Sequence, residues 1–224
     1  MSKNIQQSKP VVVVGFGGHG RVCAAALQAS GRKILAATDL TQKIDSSLMF
    51  PILTDEQAIT RYSPQEVEIV LGLGSTLPTS KESPRPHIVK RFSQKGYRFT
   101  GFCHPTAWIS ADCSLAESAQ IHAGVIIQPG CSIGEHTILN TRCSIDHDSN
   151  VGDFCHIAPG ATTSGNVTLG EGCHIGTGAN IVHDIELRER CFVAAGATVV
   201  RSACEGTHLR GTPARQFVLR GLKH

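Results

Sequence analysis

From Ile109 to Ala203 the apolar positions of the chain return at every sixth residue. The series runs Ile109, Leu115, Ile121, Ile127, Ile133, Leu139, Ile145, Val151, Ile157, Thr163, Leu169, Ile175, Ile181, Leu187, Val193 and Val199, and only Thr163 in it is not aliphatic. Four places after each comes a second series of mostly small residues, among them Cys113, Ala119, Cys131, Cys143, Ser149, Cys155, Ala161 and Ala203. A repeat of six fits neither an amphipathic helix, with its 3.6-residue turn, nor an ordinary strand, with its alternation of two. It predicts a solenoid in which each hexad is one flat side and three sides, 18 residues, close one coil. The aliphatic residues point inward and stack from coil to coil, and the small ones fill a narrow interior. Glycines at the second place (Gly134, Gly152, Gly170, Gly176) are expected to serve the corners.

The first hundred residues carry a different pattern. VVVV at 11–14 reads as a buried strand, GFGGHG at 15–20 as a glycine loop, and the Ala-rich stretch to about Ser30 as a helix stopped by Gly31. Residues 33–39 predict a second strand ending in Asp39. This strand–loop–helix–strand order is the opening of a Rossmann-like nucleotide-binding fold. Its glycines let the backbone approach a ligand, and the amides at the helix start attract a phosphate. Asp39 is placed where an acid can meet a ribose or base. Gly15, Gly17 and Gly20 are spaced G-x-G-x-x-G, which is weak evidence by itself, and a redox cofactor is not expected. Glu68–Gly74 predicts a further buried strand with a glycine turn, 87–95 a helix, and 97–102 a last strand. Pro78, Pro84 and Pro86 predict a loop between them. The change of pattern near residue 104 gives two domains, 1–103 and 104–224.

Composition narrows the classes. A hydrophobic fraction of 41% and a charged fraction of 17% describe an ordinary chain with ample core. A net charge of +3 is too weak to argue for nucleic acid. The first ten residues are polar, without the apolar run of a secretion signal, and no apolar segment approaches 18 residues. The expected location is cytoplasmic. Of nine cysteines, Cys113, Cys131, Cys143, Cys155, Cys173 and Cys191 occupy the small inward slot, while Cys23, Cys103 and Cys204 do not. CxxC pairs are absent, so the six read as small, soft core residues and no metal is expected.

Chemistry falls to the outward places, where His122, His136, His147, His156, His174 and His183 stand. His147 is followed by Asp148, and 18 residues on, one coil up, is Gly165. Adjacent coils lie roughly 4.8 Å apart, so an imidazole stands beside a bare backbone amide. Acyl transfer needs such a pair, a base for the incoming amine or hydroxyl and a donor for the oxyanion. The carboxylate would fix the imidazole tautomer.

The stretch IDHDSNVGDFCHIAPGATTSGNVTLG (145–170), with the GFGGHG loop, LNT, DHD, SGN and GTPA, resembles the sugar acetyltransferases of bacterial glycan synthesis. Those enzymes join a small nucleotide-binding domain to a left-handed parallel β-helix of hexapeptide repeats, and include UDP-amino-sugar N-acetyltransferases and sialic acid O-acetyltransferases. The resemblance implies acetyl-CoA as co-substrate and a homotrimer with active sites between subunits. It implies His147 as general base, Asp148 as its acid partner, Asn140 near the sugar amine, His156 as a second active-site histidine and Gly165 as the amide that meets the thioester oxygen. Gly15, Gly17, Gly18, His19, Asp39, Gly72 and Gly74 match the nucleotide-sugar site. His156, His174, Gly211, Pro213 and Arg215 match a coenzyme A cleft, where Arg210 could also meet phosphate. Two departures stand out: Gly20, where many relatives have alanine, and Asp148, where some have glutamate. The expected activity is N-acetylation of a nucleotide-linked, UDP-4-amino-type sugar. The alternatives are O-acetylation of a sialic-acid-like sugar and a non-catalytic β-helix scaffold.

Overall fold

A computed structural model describes residues 9–40, 48–74 and 83–216. They form two compact units, which divide inside the short strand Phe102–Cys103. Among the described residues no helix is long and apolar enough to cross a membrane.

The first unit holds β1 (Val11–Val14), α1 (Gly18–Ala29), β2 (Ile34–Thr38), β3 (Ile52–Leu53), α2 (Asp55–Arg61), β4 (Glu68–Leu71) and α3 (Pro84–Ser93). Its four strands are parallel, in the order β3-β2-β1-β4. The unbroken valine run of β1 fits a central strand covered on both faces. Val11 and Val13 pack with Cys23, Ala24 and Leu27 of α1, while Val12 and Val14 belong to the opposite core with Phe92 and Tyr97.

Two elements here escaped the sequence pattern, β3 and α2. The signal for α2 was a capping box: the Thr54 hydroxyl accepts from the Gln57 amide, and the Gln57 side chain accepts from the Thr54 amide. The expected proline loop is corrected in part. Pro84 and Pro86 lie inside the first turn of α3, capped by Ser83, because the first turn of a helix needs no amide donors. Pro78 falls outside the described residues. Of the expected strand at 97–102 there is a bridge between Phe99 and Ile69, and then Phe102–Cys103.

The second unit is a β-solenoid with coils of 18 residues. Two-residue strands pair in parallel with strands 18 residues away, as Ser144–Ile145 does with Thr162–Thr163, and so build three sheets of five, six and eight strands. From Ile121 onward the aliphatic series faces inward and is buried, Ile145 and Ile157 completely. Truncating one such residue to alanine would cost about 2–5 kcal/mol, since stacked coils cannot close around the cavity.

The corners are not made by the second-place glycines. From Gly124 to Gly196 every sixth residue, the fourth of its hexad, has a positive φ between 55° and 74°, and seven of these are not glycine, including His136, Asp148 and Asn166. The second-place glycines answer a close approach instead. A Cβ on Gly134, Gly170 or Gly176 would lie 2.4–2.5 Å from an atom of the next coil.

The small slot also has a polar logic. The thiols of Cys131, Cys155 and Cys173 and the hydroxyl of Thr137 each donate to a carbonyl 15 residues ahead, on the coil above. Burial pushes the Cys143 thiol up to about 12, and all nine cysteines are free, which agrees with a core role.

Candidate active site

His147 and Asp148 form the corner that joins Ser144–Ile145 of the six-stranded sheet to Asn150–Val151 of the five-stranded sheet. The corner is tied from several directions. The Asp146 carboxylate accepts the His147 amide at 2.8 Å, and the Asp148 amide donates to the Pro129 carbonyl at 2.9 Å. The Asp146 amide faces the Thr163 hydroxyl at 3.3 Å. Thr163, the one break in the aliphatic series, therefore supports the corner from inside, a role that spacing alone did not reveal.

Asp148 takes the left-handed conformation with φ 58°, which a short acidic residue tolerates better than most. Its Oδ2 lies 2.8 Å from His147 Nδ1. A carboxylate only accepts, so Nδ1 carries the proton and Nε2 keeps the lone pair. The bond to Asp148 raises the His147 pKa above the ordinary imidazole value against desolvation, helped by the charges of Asp146 and Asp148. The ring is exposed to solvent.

Gly165 lies directly above this ring. A Cβ there would sit 2.4 Å from both Cε1 and Nε2 of His147. No positive φ is involved, so the requirement for glycine is one of space. Gly130, which also takes a positive φ of 74°, makes room for the acid: a Cβ there would fall 2.6 Å from Asp148 Oδ1. Sequence reasoning found Gly165 and missed Gly130, though it lies 18 residues before Asp148.

The other histidines occupy a different side. Along the eight-stranded sheet, Ile138, His156, His174, Phe192 and His208 stand in register on successive coils. His156 meets His174 edge-on at 5.0 Å between ring centres, and His174 stacks on Phe192 at 5.3 Å. His122 and His156 were expected at outward places and are buried. Burial holds the His174 pKa down to about 4, so the ring is neutral. Asn140 reaches His156, with Nδ2 at 3.1 Å from Nε2.

The chain thus assembles two groups, His147–Asp148–Gly165 and Asn140–His156–His174, and does not bring them together. The first is at the corner between the five- and six-stranded sheets, opposite the eight-stranded side that carries the second. The spacing contained this: His156 follows His147 by nine positions, one and a half hexads. His183 and Asp184 repeat the histidine–acid pair at the same corner two coils above, but at 4.0 Å. At the end of the solenoid Gly211, with φ 91°, accepts from the Thr198 amide, and Ala214, after Pro213, donates back to Thr198. Arg210 and Arg215 stand opposite one another there, both exposed.

In the first unit the expected loop residues gather at the ends of β1, β2 and β4. Gly15, Gly20 and Gly72 interlock, for a Cβ on Gly20 or Gly72 would lie 2.1 Å from the Gly15 carbonyl. This accounts for the departure at Gly20. Gly17 and Gly18 differ, with nothing within 4 Å of an added Cβ. They open the start of α1, which has no side-chain cap. His19 lies beside Gly74, and the Asp39 amide at the end of β2 donates to the Leu53 carbonyl.

Residues 10–78 match the family model described as the PglD N-terminal domain. Comparison with curated proteins by sequence gives no match. Among solved structures, the chain is similar to the acetyltransferase domain of PglB from Neisseria gonorrhoeae, with 28% identity, a TM-score of 0.84, and 94% of this chain and 100% of that one covered. That domain has also been solved with acetyl coenzyme A. PerB from Caulobacter crescentus, solved with CoA and GDP-perosamine, shows 28% identity and a TM-score of 0.84 over 93% of this chain and 97% of its own. WeeI from Acinetobacter baumannii shares the fold at 20% identity, with a TM-score of 0.83 over 93% of this chain and 99% of its own. With its matched N-terminal domain and its coils of six-residue sides, this chain is similar to sugar acetyltransferases built on a hexapeptide-repeat β-helix.

Proposed function

We propose that the protein transfers an acetyl group from acetyl-CoA to the amine of a nucleotide-linked amino sugar, of the UDP-4-amino type, without an acyl-enzyme. The observation that carries this reading is His147, its Nδ1 bound to Asp148 and its Nε2 edge laid over Gly165. As the sugar nitrogen attacks the thioester carbonyl, Nε2 takes the amine proton. The Gly165 N–H stabilises the oxyanion. The C–S bond then breaks, and the coenzyme A thiolate leaves with the proton returned by His147. PerB and PglB, solved with a nucleotide amino sugar or with acetyl coenzyme A, support the substrate class.

The nucleotide sits at the first unit, read as a Rossmann-like domain (residues 1–103) followed in the chain by a left-handed solenoid (104–224). The strand order supports that reading, and so does the open space at Gly17 and Gly18. Gly15, His19, Asp39, Gly72 and Gly74 complete the loop side. Gly211, Pro213, Arg210 and Arg215 hold the coenzyme A end, where two exposed guanidinium groups suit phosphate.

Because His147 and the Asn140–His156 pair lie on opposite sides of one coil, a complete site takes the corner of one copy and the eight-stranded side of another. A homotrimer provides this three times over. Incubation with acetyl-CoA and a panel of UDP-, GDP- and dTDP-linked amino sugars, with free thiol as readout, tests the reaction; sialic-acid-type acceptors in the same panel test O-acetylation. Mixing inactive His147→Ala with inactive His156→Ala subunits tests the sharing, and restored turnover is expected. No restoration after subunit exchange would place the whole site within one copy.

A further inference from the structure

Asn140 is expected from resemblance to lie near the sugar amine, but its hydrogen bonds commit it elsewhere. Its Oδ1 accepts the Thr141 backbone amide at 2.8 Å and faces the Thr141 hydroxyl at 3.3 Å. A backbone N–H can only donate, which fixes the orientation of the side-chain amide independently of any choice between its oxygen and nitrogen. The NH2 end is then the one that lies 3.1 Å from His156 Nε2. That group also can only donate, so Nε2 of His156 must supply a lone pair, and the neutral ring holds its proton on Nδ1.

We propose that Asn140 is a positioning residue which occupies the His156 lone pair and holds the ring in its Nδ1–H tautomer, so that His156 is not a second base in the reaction. This rests on the acetyl-transfer reading for its meaning in catalysis, but the tautomer itself does not. The contrast with His147 is direct. Both rings carry the proton on Nδ1, yet Nε2 of His147 lies over a glycine, while Nε2 of His156 faces an amide donor. Among the groups that face His156 are Ile138 and Asn140 from the coil below and His174 from the coil above. Of these only His174 titrates, and burial keeps it neutral. On the same chain, Asp153 stands at the corner preceding His156. The division leaves one proton acceptor in a site with two imidazoles.

The test is nitrogen NMR on the full chain, ligand-free and labelled at histidine, with His156→Gln used for assignment. The expected result is a neutral His156 with protonated Nδ1 and unprotonated Nε2 from pH 6 to 8. In Asn140→Asp the carboxylate can only accept, so the proton should move to Nε2 or the ring should become doubly protonated. The same variant should lower kcat about tenfold, leave KM within about twofold, and add a second ionisation to the pH profile of kcat. A wild-type ring protonated on Nε2 would overturn the proposal, and so would an unchanged tautomer in folded Asn140→Asp. The wild-type spectrum decides the tautomer even if the variant fails to fold. Full activity in His147→Ala would sink the acetyl-transfer reading while leaving the spectrum untouched, so the two failures are distinguishable.

Discussion

His147 stands at an exposed corner of the solenoid, its pKa raised by an acid beside it, while His174 lies half-buried on the opposite side, its pKa held down to about 4. The two occupy the same repeat and differ in place within it. At a corner the side chain leaves the coil altogether, and the flanking turn can supply a carboxylate and a glycine. On a flat side the outward residues stack on their equivalents above and below, so imidazole meets imidazole or phenyl. One repeat therefore offers a charged, wet position suited to proton transfer and a dry, aromatic one suited to shape. Solvation, not residue type, decides which histidine can act as a base.

The comparison breaks most sharply if the corner histidine is removed. His147→Ala should reduce kcat about 10³-fold while leaving the solenoid intact, measured by thiol release and circular dichroism. Turnover within about tenfold of wild type would assign the base elsewhere. Filling the space above the ring comes next. Gly165→Ala puts a methyl group where 2.4 Å separates the Cβ position from the imidazole, so the ring must swing away. A loss of about 10²-fold in kcat/KM is expected from the displaced base, and a second-site Gly130→Ala should act in the same direction through Asp148.

Asp148→Asn keeps a residue that accepts a positive φ and removes the charge. The reacting form of His147 is neutral, and Asp148 favours the protonated form, so the substitution lowers the pKa. The acid limb of the kcat/KM profile should move to lower pH, and the plateau should fall about tenfold as the ring loses its anchor. A limb that stays in place would show that another group sets it.

The smallest effect concerns stability on the dry side. His174 binds a proton in the unfolded chain near 6.5 but in the folded chain only near 4. Its contribution is thus fully present above 6.5 and is lost as pH falls towards 4, by up to about 3 kcal/mol. His174→Phe should flatten that part of the stability profile, read by urea denaturation at pH 7 and pH 5. An unchanged slope would mean that His174 is solvated when folded.

Sequence by itself determined the coil. A period of six names the inward residues, stacks His147 under Gly165 and places the cysteines in the core, because each of these is repeated locally and set by the next coil alone. It also revealed the glycine loop and the strand before it. Tertiary structure decided what lies across the coil or outside it. The corner conformation falls on the fourth place of the hexad because there the chain must reverse in a left-handed residue. The prolines of α3 start a helix because Ser83 caps it, and α2 is anchored by a four-residue box too short to leave a period. The burial of His156 and the half-burial of His174, the support of Asp146 by Thr163, and the separation of His147 from Asn140 all depend on which of three sides a residue occupies. A hydrophobic pattern records only whether a side chain points in or out, so those facts needed the folded molecule.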